Sequence, residues 1–146
     1  MYAPTREQAR RFLIEAWAKY RRGEPLSALE QLAVEIIARH PEYESCFADP
    51  ERYLDRDWRP EGGETNPFLH VSLHLAIAEQ LSIDQPPGIR ATFQALLEQF
   101  GGDAHEAEHV LLEALAETLW QAQRLGAAPD GSLYLTLARA RLKKPI

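Results

Sequence analysis

The stretch NPFLHVSLHLAIAEQLSI, residues 66–83, limits what this chain can fold into more than any other. Asn66 followed by Pro67 is a helix start, with Asn as cap and Pro at the first helical position, where a missing N–H costs nothing. The residues that follow are apolar nearly all the way round. A helix with so little polar surface is stable only when other elements enclose it. The rest of the sequence offers helices for that purpose and no convincing strand pair.

Five further helices can be read from periodicity and punctuation. Helix one opens at Thr5 and Gln8 with capping-box spacing, carries Phe12, Leu13, Ala16 and Trp17 on one face, and stops at Gly23. Helix two has Pro25 near its start, Leu29, Leu32, Ala33, Ile36 and Ile37 as its apolar positions, and Pro41 just past its end. Helix three is the opening stretch. It ends before DQPPG, whose prolines break the helix and admit helix four at IRATFQALLEQF. Gly101 and Gly102 break the chain again, and Asp103 with Glu106 caps helix five, AHEAEHVLLEALAETLWQAQRLG. A last helix falls in DGSLYLTLARARLKK. Between helices two and three, residues 41–66 lose the period and gather Pro, Gly and charge, apart from a short helix at DPERYLD. The expected fold is therefore all-α: one domain over residues 1–146, a bundle of about six helices with a long loop between helices two and three.

Composition narrows the function. A hydrophobic share of 45% with 26% charged residues is that of a globular chain. The formal charge of -6 argues against nucleic acid as a partner. Basic residues gather at Arg10, Arg11, Lys19, Arg21 and Arg22 and again at Arg139, Arg141, Lys143 and Lys144, and both groups read as solvated helix faces or ends. Cys46 is the single cysteine, so a thiolate metal site and an intrachain disulfide are excluded and a reducing compartment fits. Charges interrupt every apolar run near the N-terminus, which argues against a signal peptide or a membrane span. The expected setting is the cytoplasm, without membrane or nucleic-acid partners, with a protein partner or a homo-oligomer left open.

Against this background the histidines stand out. His70 and His74 share one stripe of helix three with Ile77 and Leu81, opposite Ser72 and Glu79, so their imidazoles face apolar neighbours and need partners there. His105 and His109 repeat the four-residue spacing in helix five. There Glu108 and Leu112 share their patch beside Leu111, Leu115 and Leu119, while Glu106 and Glu113 point away. One helical turn brings both members of such a pair onto one face, and neutral imidazole ligates transition metals. Histidine and carboxylate without thiolate suit a mononuclear zinc or a di-iron site in a bundle. The expected ligands are His70, His74, His105, His109 and Glu108, and the expected cofactor is a transition metal, zinc or iron. The alternative is an interaction or scaffold protein whose buried histidines form a metal-free polar network with Glu108.

If the protein is an enzyme, a metal-dependent hydrolase or an oxygen-using enzyme follows from those ligands. The letters HEAEH satisfy both zinc-peptidase patterns, yet such a short motif arises easily in a Glu- and Ala-rich helix, and nothing resembles a zincin's surroundings. Tyr43, Phe47, Tyr53 and Trp58 in the long connection either pin it to the bundle or hold a partner, and pinning is the simpler reading. The connection itself would cover the histidine site. The short links DQPPG and GGD favour up, down, up packing, which makes helices three and five parallel and brings the two histidine pairs to the same end.

The runs TNPFLHVSLHLAIAEQLSIDQPPGIR, GDAHEAEH and WQAQR resemble an uncharacterised bacterial family, domain-of-unknown-function family eighteen-forty-one, over nearly the whole chain. The resemblance implies a bacterial cytosolic protein. It brings no catalytic residues with it.

Overall fold

The computed structural model describes residues 6–53, 56 and 66–144, and every regular element among them is helical. In chain order these are α1 (Arg6–Arg21), α2 (Ala28–Ala38), a 3-10 turn (Pro41–Tyr43), α3 (Glu44–Ala48), α4 (Pro50–Tyr53), α5 (Pro67–Ile83), α6 (Ile89–Gln99), α7 (Ala104–Leu125) and α8 (Gly131–Arg139). The chain is all-α, as the sequence implies. The count exceeds about six because the connection after α2 holds regular structure as far as Tyr53: besides the expected turn at Pro50–Tyr53, the segment PEYESCFA coils into a 3-10 turn and α3. Trp58 and the RPEGGET run lie outside the described residues, as does Thr5 of the expected first capping box.

Backbone contacts divide the chain into two compact units, residues 1–75 and 76–146, with the boundary inside α5. In the first unit α1 packs on α2 and α3. Its core joins Leu13, Ala16 and Trp17 of α1 to Ala33, Val34, Ile36 and Ile37 of α2, Cys46 and Phe47 of α3, and Phe68 and Val71 of α5. The helix α2 starts later than Pro25 suggests, because Ser27 is the better cap. Its hydroxyl accepts from the Glu30 amide while the Glu30 carboxylate accepts from the Ser27 amide, a reciprocal capping box. The Asn66–Pro67 start of α5 is as read: Asn66 Oδ1 accepts from the amides of Phe68 and Leu69 at 3.0 and 3.2 Å.

Two features of the connection were legible only in part. Phe47 is fully enclosed and meets Phe68 edge to face at 5.1 Å, and Tyr43 and Tyr53 pack against the same core, so these aromatics pin the connection. Arg10 departs from the solvated face expected of it. Its guanidinium is buried, donates to the carbonyls of Tyr53 and Arg56 at 3.4 and 2.7 Å, and lies over the Phe68 ring. Carbonyl oxygens and an aromatic face can accommodate a buried cation, and a helix-one arginine thereby holds the end of α4.

In the second unit α6, α7 and α8 pack on one another. The buried face of α7 runs through Ala107, Val110, Leu111, Ala114, Leu115, Thr118 and Ala122. Leu119, expected on this stripe, is half-buried, since small residues rather than leucines fill the later turns. Asp103 caps α7 and Asp130 caps α8. Tyr134 is buried, which raises its phenol's pKa, and its hydroxyl donates to Gln80 of α5 at 2.7 Å. Between α5 and α6, Asp84 takes a left-handed φ of 51° and its carboxylate accepts from the Arg90 amide, which turns the chain across DQPPG.

Candidate metal centre

The first unit gathers three histidines from two places in the chain. His70 and His74 stand one turn apart on α5, His70 half-buried and His74 almost fully enclosed. His40, which the pair spacing did not single out, follows the last turn of α2 and leads into the 3-10 turn at Pro41. It continues the buried α2 face after Ala33, Ile36 and Ile37, and is itself buried. That placement is the sequence signal that could have revealed it: a histidine four residues after a core isoleucine carries an imidazole inward.

The ring orientations matter more than the proximity. His40 Nδ1 lies 2.7 Å from the Ile36 carbonyl, so this nitrogen carries the proton and donates it. In the neutral ring Nε2 is then left with a lone pair. His40 Nε2 points at His70 Nε2, 3.2 Å away, and His70 Nε2 is also 3.2 Å from His74 Nε2. One ring nitrogen from each of the three lies within 4.8 Å of the other two. The rings meet edge-on or tilted, with centroids 4.8 to 5.1 Å apart.

Protons alone serve this geometry poorly. His70 Nε2 has either one N–H or one in-plane lone pair, yet it faces two nitrogens. As a donor it would have to divide a single hydrogen between two acceptors; as an acceptor it would meet the lone pair of His40. A cation between the rings would meet a lone pair from each imidazole in the tautomer that presents Nε2 unprotonated. In a tetrahedral zinc site with bonds of ~2.0–2.1 Å, neighbouring ligand nitrogens are separated by about 3.3–3.4 Å. The two contacts of 3.2 Å match that edge.

Tyr43 closes one side of the cluster. Its ring stacks on His40 with centroids 5.5 Å apart and planes 6° from parallel, and meets His70 edge to face at 5.6 Å.

In the second unit the other expected site residues occupy the first turns of α7. His105 is exposed, Glu108 and His109 are half-buried, and the rings of His105 and His109 lie 4.1 Å apart between centroids. His109 repeats the arrangement of His40: its Nδ1 is 2.8 Å from the carbonyl four residues earlier, that of His105, and donates to it.

An all-α chain with a buried knot of imidazoles, capped by a tyrosine, describes the class of protein. The chain belongs to the family described as Domain of unknown function (DUF1841), which it matches over residues 5–140. No curated protein and no solved structure matches it. Among the described residues, no helix is long and apolar enough to cross a membrane.

Proposed function

We propose that this protein binds one transition-metal ion, zinc or iron, through His40, His70 and His74. The observation that carries the reading is the double contact at His70 Nε2, which hydrogen bonding serves poorly and a cation serves well. An ion held by neutral imidazoles lowers the pKa of a bound water and polarises a bound carbonyl, so a hydrolytic or oxygen-using reaction is the class of chemistry available to it. The free thiol of Cys46 supports a cytoplasmic setting.

The test is elemental analysis of protein purified without a histidine tag or chelator, beside a His40→Ala/His74→Ala double variant. Wild type is expected to carry about one transition-metal equivalent and the variant far less, since removing ligands dismantles the site. Equal, negligible metal in both, even after anaerobic reconstitution, would leave the metal-free polar network as the account of these histidines.

A further inference from the structure

Tyr43 is placed where it can act on the metal centre without being a ligand. It lies three residues after His40, across the 3-10 turn whose Tyr43 amide donates to the His40 carbonyl at 2.9 Å. The short turn folds the tyrosine ring back onto the imidazole. An offset parallel contact with His40 and an edge contact with His70 put one aromatic ring against two of the three converging imidazoles, which come from separate elements.

We infer that Tyr43 is a positioning residue for the metal centre, holding the imidazoles of His40 and His70 at the angle at which their Nε2 atoms meet. The inference rests on the proposed metal site. The Nδ1–H bond to Ile36 fixes one edge of the His40 ring. A parallel aromatic plane beside it restrains the tilt of the ring. The contact also gains strength on metal binding, because an imidazole attached to a dication becomes more positive, and the face of a phenol ring is the negative pole of its quadrupole. Stabilisation greater in the metal-bound than in the metal-free form raises affinity, whereas ordinary core packing stabilises both forms alike.

The ring is what the argument needs, so Tyr43→Phe should bind Co2+ and Zn2+ nearly as wild type does. Tyr43→Leu should weaken binding by roughly 10- to 100-fold, the usual range for partners that orient a ligand. It should also alter the visible ligand-field bands of the Co2+ form, which report coordination geometry and do not respond to a merely structural loss. If Tyr43→Leu does not fold, as judged by helical circular dichroism, wild-type protein with ring-labelled tyrosine decides the matter: the Tyr43 ring resonances should shift when Zn2+ is added. Wild type that binds neither ion overturns the metal site itself. Wild type that binds, with Tyr43→Leu equal to it in affinity and spectrum, overturns the role of Tyr43 and leaves the site standing. Labelled Tyr43 resonances unmoved by bound Zn2+ overturn it too, and so does a Tyr43→Phe variant as weak as Tyr43→Leu, which would assign the effect to the hydroxyl.

Discussion

Four of the five histidines were visible in the sequence because each has a partner one turn away, at 70 and 74 or at 105 and 109. His40 has no such partner and became a site residue through tertiary placement, at the end of α2 and against α5. Spacing detects what a single helix aligns. It is blind to an imidazole delivered by a different element. Arg10 was misread for a related reason, since a charged residue in a basic run looks solvated until backbone carbonyls from a distant turn are seen to receive it. At Glu30 the local pattern is more transparent. The Ser27 amide and then the Lys19 ammonium hold its carboxyl below the ordinary carboxylate range. A carboxyl with a lowered folded pKa contributes stability above its unfolded pKa and loses it as pH falls through the folded value. Glu30→Gln keeps the capping geometry and removes the charge. Denaturant unfolding should find this variant less stable than wild type at about pH 7 and the gap narrowing as the pH falls below the ordinary carboxylate range. A gap that does not depend on pH would show that the charge plays no part.

The helices themselves were largely legible. Asn66, Asp103 and Asp130 cap where the sequence places starts, and glycines and prolines end the runs. The connection after α2 was less so, because α3 and α4 span five and four residues, too short to display a helical period. What holds α3 is burial of Phe47 and Cys46, and what holds the end of α4 is the Arg10 guanidinium, both tertiary effects. The same burial raises the pKa of the Cys46 thiol. With His40 at its root and Tyr43 on the cluster, this connection should respond to the metal. Hydrogen exchange over residues 40–53 is expected to slow when Zn2+ is added, while α8, which bears no proposed ligand, stays unchanged. Exchange over 40–53 indifferent to saturating Zn2+ would separate the connection from the site.

For the whole molecule, the metal has a further consequence. A ligand that binds the folded chain alone stabilises it by mass action, about 2.7 kcal/mol at a hundredfold excess over Kd. The fold class was available from the sequence because caps and apolar periods are local signals; the division of the backbone into units was not, since α5 runs through the boundary without a break. The central claim is that imidazoles hold the ion, and X-ray absorption spectroscopy at the metal edge of the reconstituted protein measures this most directly. The account predicts a first shell of three to four nitrogens, at ~2.0–2.1 Å if the ion is zinc, with the outer-shell scattering of imidazole rings, reduced by about one ring in His40→Ala. A shell of oxygens without imidazole scattering, unchanged in His40→Ala, would contradict it.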